Sequence, residues 1–326
     1  MGLTAAASCA AIRAKLTNPR ETRFIDSNGE WIVGHEVPLE RAWRGRARLA
    51  QMAAMAIEEA MAQVPKSEWH SVPLLLCVAE PGRPGRMEGL DDRLFGDVER
   101  ALDGRFAPDS AVVPHGSVAV AVALLQARGL LQAKGYRQVV IAAVDSLLHG
   151  PTLSQYERQD RLLTSRNSNG FMPGEGAGAM MVRSADADSR LVCGGLGFGM
   201  EAASIDAEEP LRADGLSQAI HAALADAGCE MHDMHFRMTD LSGEQYYFKE
   251  AALALARTLR RRKEEFDLWH PAECTGELGA AAGAAMIALA DAACQKRFAK
   301  GPRILAHMAD DGGRRAAIAL QFRGTP

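Results

Sequence analysis

Short apolar runs and long alanine-rich runs alternate along the 326-residue chain. The short runs lie at 71–80 (SVPLLLCVAE), 138–146 (QVVIAAVDS), 176–184 (GAGAMMVRS), 191–199 (LVCGGLGFG), 303–309 (RILAHMA) and 316–322 (AAIALQF). They are too short for helices and apolar almost throughout, so they predict strands. The long runs, 46–64, 117–135, 214–229, 250–265 and 279–297, carry helical spacing. Their alanines favour the helical state and let helices approach closely. A further helix is expected at the N-terminus, with Thr4 as its cap. The last two strands, separated by DDGGRR, predict a terminal hairpin.

Strand, helix, strand in repetition predicts an α/β layered architecture. The same order occurs twice, and the polar stretch ADADS (185–189) reads as the join. The expected division is therefore 1–187 and 188–326. No short-period repeat is visible, which argues against a solenoid.

Composition adds bounds rather than chemistry. Apolar residues make up 48% and charged residues 24%, which suits a large buried core. A net charge of −4 gives no reason to expect nucleic acid or an anionic membrane as the main partner. The one basic run, Arg260 to Lys263, is followed by Glu264 and Glu265 and reads as a solvated helix end. Cys9, Cys77, Cys193, Cys229, Cys274 and Cys294 form no C-x-x-C pair, so neither a zinc site nor a disulfide framework is expected. Reduced thiols imply the cytoplasm. The N-terminus lacks the charged start and apolar core of a signal peptide, and no run is expected to span a membrane.

One loop carries a more specific signal. In 166–182 (RNSNGFMPGEGAGAMMV) four glycines and Pro173 surround Glu175 just before a strand. The segment lacks the lysine of a phosphate loop. As a whole it resembles the D-G-F-x-x-G-E-G-A-G signature of the β-ketoacyl synthases in the thiolase superfamily. Other segments agree in order: 135–148 resembles the strand after the nucleophile helix, 214–228 the helix opening the second half, TGELGAAAGAA (275–285) the T-G-H-x-x-G-A-A-G segment, and 309–322 the G-F-G-G-T-N hairpin. The resemblance covers most of the chain. It implies a thiolase-like duplicated α/β/α/β/α fold, usually a homodimer, with the family's first strand absent.

The resemblance also implies where chemistry belongs. A ketosynthase uses a thiolate at a strand-to-helix turn, where the helix N-terminus lowers its pKa, and two histidines, or His and Asn, for decarboxylation. The matching turn here is VVPHGSVAVAV; the local pattern puts His115 at the cysteine's place, whereas counting back from Gly135 puts Val118 there. The first histidine falls on Thr239, eleven residues before Glu250, which is expected to open a helix. The second falls on Glu277, the accompanying lysine on Ala272, and the phenylalanine of the last motif on Asp311. A carboxylate at Glu277 would repel a malonyl carboxylate and cannot donate to an oxyanion unless burial raises its pKa strongly.

Replacement chemistry has candidates too. His115, Ser117 and a carboxylate would sketch a Ser–His–acid hydrolase, but no G-x-S-x-G elbow accompanies them. His115, Asp240 and Glu277 would sketch a metal site, without any H-x-x-x-H or C-x-x-C pairing. His115, Ser117, Glu175, Asp240 and Glu277 are the pocket candidates; Asp310 and Asp311 lie in the terminal hairpin. His221, the pair His232 and His235, and the cluster Tyr246 to Phe248 have structural readings instead. The expectation is a catalytically degenerate protein without cofactor or metal, acting as a scaffold or adaptor, as in the similar proteins that accompany type VI secretion effectors. Its partners would be a second copy of itself and an acyl carrier protein or a secreted effector. An acyl-carrier-linked condensing or hydrolytic enzyme, or a chain-length-factor-like subunit, is the alternative.

Overall fold

A computed structural model describes residues 2–324 and divides into two compact units. The first comprises the chain up to Ser184 together with Ala272–Ala285; the second comprises Ala185–Pro271 and the chain from Met286 onward.

The first unit begins with α1 (Ala5–Arg13), capped by Thr4 Oγ1 accepting from the amide of Ala7 at 3.2 Å. A hairpin of β1 (Arg20–Ile25) and β2 (Trp31–Gly34) follows, then α2 (Gly45–Ala60), β3 (Leu74–Val78), α3 (Leu94–Leu102), β4 (Ala111–Pro114), α4 (Ala119–Ala133), β5 (Gln138–Ser146), α5 (Gly150–Arg158) and β6 (Glu175–Arg183). The sheet order is β4-β3-β5-β6; the first three strands are parallel and β6 is antiparallel to β5. β5 is buried from Val139 to Asp145, which is why its sequence is apolar on both faces. α2 covers the sheet with Leu49, Ala53 and Ile57 in one core with Leu74, Leu76 and Val140.

In the second unit β7 (Leu191–Met200), α6 (Asp214–Asp226), β8 (Phe236–Thr239), α7 (Gln245–Thr258) and β9 (Leu268–Trp269) come first. The short α8 (Ala272–Thr275) returns to the first unit, and α9 (Ala282–Gln295) contains the boundary between them. β10 (Arg303–Ala309) and β11 (Arg314–Phe322) close the second unit as the expected hairpin. Its sheet order is β7-β11-β10-β8-β9. β7 bares its backbone to α6: a Cβ on Gly195, Gly197 or Gly199 would stand 2.1, 2.0 or 2.1 Å from the carbonyl oxygens of Ala223, Ala219 and Gly215. Glycine at every second strand position thus meets a small residue at every fourth helix position.

The duplication is visible in topology. Read from the edge, β4, β3, β5, β6 and β9, β8, β10, β11 both run as three parallel strands and one antiparallel strand. Beyond β11 lies β7. Beyond β6, among the described residues, only an isolated bridge between His35 and Gly174 takes that place.

Several local expectations change. α7 begins at Gln245 rather than at Glu250, because Tyr246 and Tyr247 tie its first turn down through hydrogen bonds to Ala203 O and Asp311, both at 2.6 Å. The basic run lies beyond the helix; Arg261 pairs with Glu230 and Lys263 donates to the carbonyls of His232 and Met234. The stretch Gly116–Ala133 is long and apolar enough to cross a membrane, contrary to the sequence expectation. Its Ala119, Val120, Ala121, Ala123, Leu124 and Ala127 are buried within the protein, which accounts for the composition.

A fully buried ion pair anchors the second sheet to α7. Arg315 on β11 donates to both oxygens of Glu250 at 2.8 and 3.0 Å, to the Asp310 carbonyl, and to Tyr246. Glu250→Ala would leave that guanidinium buried without a carboxylate and is expected to cost about 3–5 kcal/mol, read by urea unfolding of the full chain.

Candidate functional site

Two helix starts of the first unit carry the residues singled out by sequence. β4 ends at Pro114, His115 follows with φ −122° and ψ 17°, and a 3-10 turn over Gly116–Val118 leads into α4. The other start runs from α8 through Gly276 and Glu277 into a 3-10 turn over Gly279–Ala281 and then α9. Gly116 and Gly279 both adopt left-handed backbone, with φ of +54° and +52°.

Both glycines back onto one buried ion network that the sequence reading missed. Arg83 donates to Glu80 Oε1 and Oε2 at 2.9 and 2.8 Å and to Asp145 Oδ2 at 2.8 Å. Asp145 also accepts the amides of Ala280, at 2.9 Å, and Ser146, at 2.8 Å. All three side chains are buried. Burial works against the Arg83 charge, but Asp145 and Glu80 more than offset it and hold the guanidinium protonated. A Cβ on Gly116 would stand 2.0 Å from Glu80 Oε2; one on Gly279 would stand 2.2 Å from Asp145 Oδ2 and 3.0 Å from Arg83 Nη1. The space behind both helix starts is therefore occupied by side chains of the protein itself.

The predicted residues separate into distinct settings. His115 and Ser117 are both half-buried at the β4–α4 turn, where the His115 amide donates to Val113 O at 3.0 Å. Ser117 forms no hydrogen bond among the described residues, so the His115–Ser117 pair of a hydrolase is not assembled. Glu277 is half-buried; its Oε1 accepts the amide of Gly279 at 2.8 Å and so caps the 3-10 turn into α9. Its backbone pairs with the Gly loop, accepting from Gly174 N at 3.0 Å and donating to Met172 O at 2.8 Å. Glu175 is a structural acid, buried under Arg48, Ser146 and the amide of Val37. Ala272 opens α8 and carries no polar side chain.

Thr239, Asp240 and Asp311 belong to the second unit. Thr239 is fully buried at the end of β8 and its hydroxyl lies 3.3 Å from Nδ1 of His307 on β10. Asp240 accepts the amide of Ala309 at 3.0 Å, and Asp311 accepts the Tyr247 hydroxyl. His307 was not anticipated by sequence. Burial, followed by the charge of Arg237, pulls its pKa down to about 3, so it is neutral throughout the physiological range. Arg237, on the same face of β8, has no carboxylate among the described residues; it donates to Phe266 O at 3.2 Å, lies 5.0 Å from that ring, and burial lowers its pKa to about 10. No group of three metal-ligating side chains forms among the described residues.

Thiolate chemistry has no candidate at either helix start. Cys77 is fully buried in β3, and burial pushes its thiol well up; Cys274 in α8 is buried and shifted in the same direction.

This arrangement is similar to solved structures along nearly its whole length. AntDE:AntF, a type II PKS acyl-carrier protein in complex with its ketosynthase bound to the hexaketide, matches with a TM-score of 0.78 at 14% identity, covering 98% of this chain and 96% of that one. The fold is thiolase-like, that of ketosynthases and chain length factors. The ketosynthase ApeO in complex with its chain length factor ApeC, from Xenorhabdus doucetiae, matches with a TM-score of 0.74 at 13% identity over 98% of this chain and 94% of that one. The ishigamide ketosynthase/chain length factor matches with 0.76 at 16% identity over 97% and 94%. No family model matches the sequence, and no curated protein does.

On this ketosynthase fold the β4–α4 turn and the α9 start are shaped by glycine, while the side chains around them are charged and mutually paired. His307 offers a check on the second unit. Its folded pKa lies below its unfolded value, so the unfolded chain binds the extra proton and stability falls as pH drops from about 6.5 toward 3. His307→Asn is expected to remove about 1.4 kcal/mol per pH unit from that acid slope relative to the parent. Urea midpoints at several pH values would read the difference.

Proposed function

We propose that this chain is a ketosynthase-fold protein that does not condense acyl thioesters and acts by binding a partner. The carrying observation is the Glu80–Arg83–Asp145 network, which fills the space behind Gly116 and Gly279, next to His115 and near Glu277, where the resemblance puts the nucleophile and the second histidine. A side chain cannot be added at Gly116 without displacing a buried carboxylate that is itself bonded to a buried arginine. Glu277 supports the same reading, because its carboxylate is used to cap a helix start. An acidic group there gives a malonyl carboxylate no favourable contact.

A chain-length-factor-like subunit is the second reading, favoured because two of the similar structures pair a ketosynthase with a chain length factor. An adaptor for a type VI secretion effector is a narrower form of the binding role and rests on the sequence resemblance alone. In either form the protein is proposed to work in the cytoplasm, as a homodimer in the first case and as a heterodimer in the second.

Intact-mass spectrometry after incubation with acyl-carrier-protein thioesters tests the first reading. No acyl adduct is expected, and His115→Cys is expected to gain none. Acylation of one specific residue in the parent would overturn the proposal, and acylation of His115→Cys would show that the network leaves room for a nucleophile. Native mass spectrometry with an active ketosynthase separates the two partner readings. A mixed dimer supports the chain-length-factor form, and persistence of the homodimer counts against it.

A further inference from the structure

The first unit holds a small cavity, of about 80 Å³, that none of Glu80, Arg83 and Asp145 lines. It lies among the β1–β2 hairpin, the start of α2, the end of β5 and the start of α5, and its polar lining includes Arg23, Arg48, Glu36, Ser146, His149 and Glu175. A space of this size holds a group of a few heavy atoms and not an extended chain.

Its electrostatics favour an anion. α2 has 16 residues and α5 has nine, and neither N-cap residue, Arg44 or His149, makes a side-chain capping bond. Gly45 and His149, at the two starts, both line the cavity, so two uncapped helix N-termini open on it. Arg48 is 8% exposed and supplies the second, independent feature. Its Nε and Nη2 are committed to Glu175, Val37 O and Glu36. Nη1 has no acceptor among the described residues, although the side chain lines the cavity and is nine-tenths buried.

The carboxylates present do not reverse this balance. Glu175 is saturated, accepting from Arg48, the Val37 amide and the Ser146 hydroxyl. Glu36 is exposed at the rim. Arg23 is exposed and its guanidinium forms no hydrogen bond among the described residues; it stands over the ring of Phe24, another lining residue. His149 is half-buried; its carbonyl accepts from the Leu153 amide at 2.9 Å, but its imidazole has no hydrogen-bond partner among the described residues. A cation would face the unpaired Nη1 of Arg48 and two positive helix ends, whereas an oxyanion would satisfy all three.

We propose that this cavity binds a small oxyanion, a phosphate or carboxylate group, held by Arg48 Nη1 and the start of α2, with Arg23 and His149 closing on it from the hairpin and α5. The inference does not depend on the reading given under Proposed function.

Isothermal titration of the full chain with sodium phosphate and with sodium acetate, against sodium chloride at matched ionic strength, tests it. Saturable binding of phosphate alone identifies a phosphate site; saturable binding of acetate alone identifies a carboxylate site. Arg23→Gln, which disturbs no hydrogen bond, is expected to weaken binding by about two- to fivefold, the range of an exposed charge contact. Arg48→Lys keeps a cation against Glu175 but removes the Nη1 donors, and is expected to lower affinity at least tenfold, with urea unfolding reporting whether the fold survives. Absence of saturable heat with either anion at concentrations of about tens of millimolar would overturn the proposal, since at tenfold excess over Kd a site is essentially full. Affinity unchanged in both variants would overturn it equally.

Discussion

Arg83 sits in the protein interior between two carboxylates, and the arrangement around it depends on that placement. A buried guanidinium is tolerated only when its charge is neutralised and its donors are satisfied. Glu80 supplies two acceptors from the end of β3 and Asp145 one from the end of β5, so the arginine ties together neighbouring strands at their C-terminal ends. Asp145 in turn accepts the amide of Ala280 at the start of α9, where a negative group is favoured by the helix end. Removing Arg83 would leave two buried carboxylates without their counter-charge. The network is thus a structural unit whose geometry fixes how closely two helix starts approach.

That closeness explains the glycines. Gly116 and Gly279 adopt left-handed backbone and present bare Cα atoms to the carboxylates. In an enzyme of this fold a helix start is useful because its free amides can stabilise a thiolate or an oxyanion. Here the amide of Ala280 is already engaged by Asp145 and the amide of Gly279 by Glu277. These two helix-start amides thus hold the protein's own acids.

The same device recurs away from these turns. Arg48 clamps Glu175 at the start of β6, and Arg315 clamps Glu250 beneath α7. In each pair an arginine meets both oxygens of a glutamate and also donates to backbone carbonyls, Val37 O in one and Asp310 O in the other. The planar fork of arginine suits such buried pairing better than lysine would. Arg237 departs from the pattern, for it relies on a carbonyl and an aromatic face, and its lowered pKa follows from that weaker compensation.

Much of the architecture was legible in the chain. Continuous apolar runs marked β3, β5, β6, β7, β10 and β11; in β3, β5, β10 and β11 burial on both faces leaves no alternation to misread. Alanine-rich periodicity marked α2, α4, α6 and α9. The glycine spacing of the loop before β6 pointed to a ketosynthase-like arrangement, since glycines there answer to backbone geometry that local sequence already specifies. β8 and β9 were not legible: Arg237 interrupts the first, and the second is two residues long and defined by its neighbour. The motif around Glu277 could be read from the sequence, but the bond from the Gly279 amide to its carboxylate could not. Glu80, Arg83 and Asp145 showed only as charges at or just beyond the ends of apolar runs, 62 residues apart for the Arg83–Asp145 pair. Local propensity and periodicity act over a few residues, so the chain alone determined elements and their order. Pairing of distant charges is a property of the packed interior, so only the tertiary structure decided what lies behind the two helix starts.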